Sequence, residues 1–396
     1  MQPEIRALIL GSDPAKALAV CAALRGAGAG AVLAVASPAM ASAATSRLRP
    51  GVVRLPDMRD AGSFRDQLAR YLSHGEVDVV LPIEDAPLAL LASWRGELER
   101  LAPWAAPPPG CTAIALDKER TIDAAAALPD TLRPPVTQVP EAAADGVVSW
   151  PGPYPAVVKP RTGTAAEGVR FVRDAAELAT TYRSVAAHYP RPLVQEFVPY
   201  RRGEKYLLFY LFGGQGELRS WYMHRTLVER HTMLRGADGA RLPGGINLVW
   251  ESCLDPDLLR RGQRLLESLG WRGYGFIECV RDQRTGEPRL IEINPRLAGT
   301  IALPLQQGVN FAFDACLVAL GHDPPARPAY RTGARGKRDA WTLLGSRQPR
   351  AVLAALDPRY DPPVSIWRDP EPAFRELLRL VGKRWPAPGR QPAKGL

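Results

Sequence analysis

Lysine is scarce in this chain. Of 51 basic residues only seven are lysine, at positions 16, 118, 159, 205, 337, 383 and 394, and arginine supplies the rest. Where arginine is the default cation, a lysine kept in place points to a need for a compact ammonium, and Lys118 and Lys159 are read as phosphate-binding on that ground. Cysteine is also thin, with five residues at 21, 111, 253, 279 and 316 and no C-x-x-C pair. That argues against a zinc site or a disulfide framework and fits a reducing cytosol. No G-x-x-x-x-G-K-[ST] run occurs, which excludes a P-loop enzyme. The five histidines, at 74, 188, 224, 231 and 322, form no H-E-x-x-H and no triad-like grouping, and are read as surface or satisfied strand residues. Long apolar runs are missing too. The Ala-rich stretch after Lys16 is interrupted by Arg25 and glycines, and Glu4 stands where an export signal is basic, so neither a signal peptide nor a membrane span is expected.

With 396 residues, the chain exceeds the size at which a single core keeps growing, and two or three domains are expected. The net charge of +10 is uneven: from Arg331 onward there are 14 basic against 6 acidic residues. The body is therefore near neutral, which argues against a nucleic-acid binder. Residues 1–110 alternate between apolar strands and helices: strands at Arg6–Leu10, Ala31–Val35 and Val77–Leu81, and helices at Pro14–Arg25, Phe64–Leu72 and Ala86–Leu101. That order predicts a parallel α/β domain, closed by the proline cluster before Gly110. The Gly26-Ala-Gly-Ala-Gly30 run follows a helix and precedes a strand, the reverse of a dinucleotide fingerprint, and reads as a helix C-terminal turn.

The most informative segment is Leu290-Ile-Glu-Ile-Asn-Pro-Arg296, preceded by Gly273-Tyr-Gly-Phe-Ile-Glu278 and a polar turn over 281–288. In a hairpin, Glu278 and Glu292 sit on facing strands, and Asn294 follows Glu292 by the strand period of two. Two carboxylates and an amide oxygen are hard ligands suited to Mg²⁺, or Mn²⁺ in its place, held jointly with nucleotide phosphates. Arg296 continues that face as a planar cation, which makes a phosphoryl-transfer site.

This hairpin resembles the metal-binding end of the ATP-grasp fold, of the biotin carboxylase and carbamoyl phosphate synthase kind, and further matches lie upstream in order. Asp117-Lys118 is similar to the segment that opens the nucleotide-binding region, and Pro155-Ala-Val-Val-Lys159 to the strand whose lysine reaches phosphate. Thr162–Gly168 resembles the family's phosphate lid, with Ala165, Ala166 and Glu167 in place of small polar residues. Gln195, Glu196 and Val198 match the hinge strand that holds adenine, and Glu204 the ribose-binding acid. The resemblance implies a pre-ATP-grasp α/β domain over 1–110, a two-lobed ATP-grasp domain of α+β type over 111–330, and a basic extension over 331–396.

It also implies an activity: ATP and Mg²⁺ convert a carboxylate into an acyl phosphate, which an amine, or a thiol, then attacks. Arg296 and Arg225 would serve the transferred phosphate. Beyond what the resemblance implies, Gly299 and Thr300 offer backbone N–H and hydroxyl groups to an acceptor carboxylate. Glu84 and Asp85 follow the strand ending at Leu81, at the edge where parallel sheets bind ligands; they read first as a solvated loop and second as holding an ammonium group. The competing readings are a bicarbonate-using carboxylase and a nucleotide-binding regulator without chemistry. The first lacks the Met-Lys pair of a biotin carrier in this chain, and the second keeps more of the site than it needs. Small-molecule carboxylate and amine substrates are the expected partners, with a glycan as the alternative substrate, and oligomerisation stays open. In the tail, Phe374, Leu377, Leu378, Val381 and Trp385 form a helical apolar stripe with arginines around it. Docking of that stripe on the body is expected; attachment to an anionic membrane is the alternative.

Overall fold

A computed structural model describes residues 5–140, 148–163, 167–229, 247–327, 329–338, 343, 346, 348–357 and 371. The tail stripe at 374–385 lies outside the described residues, as does the middle of the lid segment at 164–166. Among the described residues no helix is long and apolar enough to cross a membrane.

The N-terminal unit runs β1 (Arg6–Leu10), α1 (Pro14–Gly26), β2 (Gly30–Val35), α2 (Pro38–Ala43), β3 (Gly51–Arg54), α3 (Ala61–Ser73) and β4 (Val79–Pro82). Its sheet has the order β3-β2-β1-β4, and all three pairings are parallel. The starts of α1 and α3 are capped by side chains from the preceding loops: Asp13 accepts from Lys16 N and Asp60 from Ser63 N. The glycine run ends α1 as expected, with Gly28 at φ +77° turning the chain into β2. The expected helix over Ala86–Leu101 is instead broken into α4 (Asp85–Leu90), a 3₁₀ turn at Ala92–Trp94 and α5 (Arg95–Leu98). Arg95 turns inward there and bonds Glu99 at 2.8 Å and Thr112 at 3.3 Å, a tertiary contact that overrides the helical period.

Next come α6 (Pro109–Ala115), α7 (Lys118–Ala126), β5 (Thr137–Gln138), β6 (Ala156–Lys159), β7 (Arg170–Val172), α8 (Ala175–Ala186) and β8 (Leu193–Glu196). Their strands make a small antiparallel sheet in the order β5-β8-β6-β7. The larger sheet is built from β9 (Lys205–Phe212), β10 (Leu218–Glu229), β11 (Asn247–Ser252), β12 (Gly273–Arg281) and β13 (Pro288–Asn294), with α9 (Pro256–Ser268) between β11 and β12. After α10 (Ala302–Gln306) and α11 (Phe311–Ala319), β14 (Arg335–Lys337) completes it in the order β13-β12-β9-β10-β11-β14.

β9 is buried along its whole length, and its residues alternate between two cores. Tyr206, Leu208, Tyr210 and Phe212 face α9 and Trp271. Leu207, Phe209 and Leu211 face the opposite way, into a core shared with α1, α11 and the N-terminal sheet. The mixed architecture, a parallel α/β unit followed by two antiparallel sheets, is the one expected from the sequence.

Candidate active site

The hairpin register decides the site. Glu278 lies directly opposite Glu292, and Phe276 opposite Asn294. A shift after Glu278 leaves Ile291 as the extra residue of a β-bulge. Asn294 donates to Glu292 Oε1 at 3.0 Å, so the two share a face as their spacing requires. The carboxylates line a cavity of about 480 Å³ between the three sheets, along with Lys118, Lys159, Gln195, Glu196, Val198, Arg296, Gly299, Thr300, Glu84 and Asp85. Val157, Val169, Phe197, Val280 and Ile291 add apolar side chains to its lining.

Each expected phosphate lysine has a defined hold. Lys118 opens α7 behind its N-cap Asp117, and Nζ donates to the Gly163 carbonyl at 2.8 Å. Lys159 ends β6, and its buried Nζ donates to Gln195 Oε1 at 2.7 Å while Gln195 donates to Thr137 at 2.7 Å. Burial, then the nearby Lys118 charge, pushes the Lys159 ammonium down to about 7 against the pull of Glu292. Glu196 is engaged by Arg284. Arg296 holds Asp85 at 2.9 Å and lies over the Phe276 ring at 5.5 Å.

The two carboxylates are perturbed in opposite directions. Burial raises Glu278, and the Glu292 charge adds to that against Lys205. For Glu292, burial is outweighed by Lys118, Asn294, Arg296 and Lys159 together, and the net shift is downward. A pair of facing carboxylates that repel each other fits a divalent cation held between them. Among the described residues no three His, Cys, Asp or Glu side chains cluster closely enough to hold a metal alone. Glu278, Glu292 and Asn294 therefore suit Mg²⁺ that takes its other ligands from phosphate and water.

Three expected residues do not line the cavity: Asn294 reaches it only through its bond to Glu292, and Arg225 and Glu204 point elsewhere. Arg225 pairs in register with Tyr206, on the α9 face of the sheet, and its guanidinium is tied to Glu251 at 2.8 Å. Glu204 also turns away, taking a bond from the Tyr206 hydroxyl at 2.8 Å and an ion pair with Arg281 at 3.4 Å. Their chain neighbours face the site instead. Lys205 lines the cavity and bridges Glu278 at 3.2 Å and Glu229 at 3.0 Å. Burial opposes its charge, but those two carboxylates win and raise its pKa. His224 is buried behind the cavity and lies 2.8 Å from the Thr300 hydroxyl.

Lys16, in the first turn of α1, was also not anticipated. It donates to the Ile83 carbonyl at 2.9 Å, and burial followed by Arg296 pushes it down to about 8. Four of the seven lysines, 16, 118, 159 and 205, line this one cavity, so the scarcity that singled out two of them applied equally to the others.

The family model described as the ATP-grasp domain matches residues 125–300. That match takes in less than half of the chain. Carnosine synthase 1 of Gallus gallus is 30% identical over 227 residues, which are 52% of this chain and 23% of that protein's length. Among solved structures, biotin carboxylase from Campylobacter jejuni superposes with a TM-score of 0.65 at 14% identity, over 83% of this chain and 74% of that one. N5-carboxyaminoimidazole ribonucleotide synthetase from Thermus thermophilus gives 0.60 at 17% identity, over 86% of each chain. The biotin carboxylase domain of the Hydrogenobacter thermophilus 2-oxoglutarate carboxylase, solved with MgADP and bicarbonate, gives 0.62 at 14% identity over 83% and 73%. At these identities the structural likeness is one of fold. The matched region takes in Lys159, β8 and the hairpin of Glu278 and Glu292, while Lys118 precedes it and the N-terminal unit supplies Lys16, Glu84 and Asp85.

Proposed function

We propose that the chain is an ATP-dependent ligase that joins a carboxylate to an amine through an acyl phosphate, with Mg²⁺ as its metal. The observation that carries this reading is the facing pair Glu278 and Glu292, ringed by Lys118, Lys159 and Arg296 in one cavity. The relative named carnosine synthase supports C–N bond formation, since carnosine is a dipeptide.

Lys118 and Lys159 would hold the ATP phosphates, and the β8 strand the base. Mg²⁺, when bound by Glu278, Glu292 and Asn294, would neutralise phosphate oxygens. A substrate carboxylate oxygen attacks the γ-phosphorus as the bond to the β-bridging oxygen breaks, releasing ADP. Arg296, fixed by Asp85, is positioned to bear the charge of the acyl phosphate. The amine nitrogen then adds to the acyl carbon, collapse expels inorganic phosphate, and the surplus amine proton leaves with it. Holding both reactants in one cavity supplies much of the acceleration.

The test is the full chain with ATP, MgCl₂ and pools of amino acids, followed by phosphate release, and then hydroxylamine in place of the amine. Amino-acid-dependent phosphate and a hydroxamate product are expected. Stimulation by bicarbonate alone would convert the reading to a carboxylase, and ATP binding without phosphate release in any pool would overturn it.

Lys159 links nucleotide binding to pH. With its pKa near 7 in the free protein, the ammonium is mostly neutral at pH 8, and phosphate at Nζ favours recharging it. ATP binding at pH 8 is therefore expected to take up a proton, with affinity falling as pH rises above 7. Lys159→Met should lose that uptake and weaken binding about 10- to 100-fold, the value of one charged hydrogen bond. Calorimetry in buffers of different ionisation enthalpy reads both; equal proton uptake in the two proteins would remove Lys159 from the phosphate site.

A further inference from the structure

The chain beyond the family-matched region reaches back into the cavity. β14 pairs antiparallel with β11, Lys337 opposite Val249 and Arg335 opposite Glu251, and Arg338 N extends that ladder to the Leu248 carbonyl at 2.9 Å. This carries the Arg338 side chain to the cavity wall, beside Asn247 and Gly299. Its Nε donates to the Asn247 carbonyl at 3.3 Å, and its guanidinium lies across Gly299. A Cβ on Gly299 would stand 2.9 Å from Nη2 and 3.4 Å from Cζ, so any side chain at 299 would displace the guanidinium.

The cavity's other cations are already engaged. Lys16 is held at the Ile83 carbonyl, Lys118 and Lys159 lie at the lid and hinge, Lys205 is held by Glu278 and Glu229, and Arg296 by Asp85. The forked Nη atoms of Arg338 have no carboxylate partner among the described residues. Thr300, next in the chain to Gly299, lines the same cavity, and its hydroxyl is set by His224 Nε2 at 2.8 Å. Burial, then Lys205, pushes His224 down to about 3, so it is a neutral imidazole across the working pH range. Its Nδ1 is buried without a partner among the described residues, so Thr300 is the ring's hydrogen-bond partner, while Phe209 and Trp250 pack against its faces.

We propose that Arg338, with the Thr300 hydroxyl, binds a carboxylate carried by the amine substrate, so that the acceptor is an amino acid or a peptide with a free C-terminus. This rests on the ligase reading above. A planar fork in one cavity with a fixed hydroxyl matches a carboxylate bidentately, and a site so built discriminates against a neutral amide. Arg296 serves the activated group, and Arg338 the group that stays unactivated. His224 is a positioning residue that acts through Thr300.

The experiment compares amide formation by the full chain with each proteinogenic L-amino acid and with its carboxamide. The wild-type protein should prefer the free acid about 10- to 100-fold in kcat/KM. In Arg338→Ala that ratio should collapse toward one, with the loss carried by KM for the free acid. Gly299→Ala, which pushes the guanidinium aside while leaving it in the chain, should lower the ratio in the same direction. Arg338→Lys, a charge without the fork, should fall between. A folded Arg338→Ala protein that keeps the preference, or that loses acid and carboxamide equally, overturns the proposal.

Hydroxamate formation by the wild-type protein tests the ligase reading separately, because hydroxylamine carries no carboxylate. Should that fail, calorimetric titration of the same acids and carboxamides reads the Arg338 preference without turnover. Equal binding of acid and carboxamide to the wild-type chain would end the proposal whatever the chemistry.

Discussion

Glu292→Gln lowers ATP turnover by about 10²–10³, the effect expected when one pre-positioned charged group is removed from a phosphoryl-transfer site. The change keeps the volume and the partner Asn294 at 3.0 Å but removes one of two carboxylates from a pair that faces across the hairpin. It also takes a counter-charge from Lys118, Arg296 and Lys159, the cations that hold the Glu292 pKa down. The folded protein should therefore melt somewhat lower while keeping its secondary structure. Phosphate release with ATP and MgCl₂, read beside circular dichroism, decides the matter. Near-normal release in a folded variant would remove Glu292 from the metal site.

Phe209→Ala should have the largest effect on stability, about 3–5 kcal/mol, the usual cost of truncating a fully enclosed aromatic ring. Phe209 lies at the centre of β9 with no exposed surface. Its ring meets Tyr222 at 5.9 Å, His224 at 5.3 Å, Phe276 at 5.8 Å and Phe311 of α11 at 6.0 Å. That contact ties the large sheet to α11 and, through the same core, to the N-terminal unit. Truncation should therefore loosen the wall that carries Phe276 and Arg296, lowering activity along with stability. Denaturant titration of the full chain measures the loss, and a cost below about 1 kcal/mol would show that the cavity collapses without consequence.

Local pattern carried a good part of the site. The placing of Glu278, Glu292 and Asn294 on one face was readable because a hairpin with a polar turn and a period of two fixes it; the register sets Glu278 opposite Glu292, and Asn294 bonds Glu292 without lining the cavity. Lys118 and Lys159 stood out in a chain whose other cations are nearly all arginine. The strand-helix alternation of the first 110 residues predicted the parallel sheet that the structure contains.

What failed did so at the choice of face. Glu204 and Lys205 are adjacent, as are His224 and Arg225, and in each pair the neighbour of the expected residue reaches the cavity side. Period two makes adjacent residues point oppositely, but nothing within β9 or β10 says which side is inward, since β9 is buried on both faces. That was decided by pairing Leu207 with both Glu278 and His224, a register set by residues far apart in the chain. Lys16 and Arg338 come from positions remote from the hairpin, brought in by the packing of α1 and by β14 joining β11. Sequence spacing determines which side chains can stand together on one element. Only the packing of separate elements, driven by apolar burial between sheets, decides which of those faces meet around one cavity.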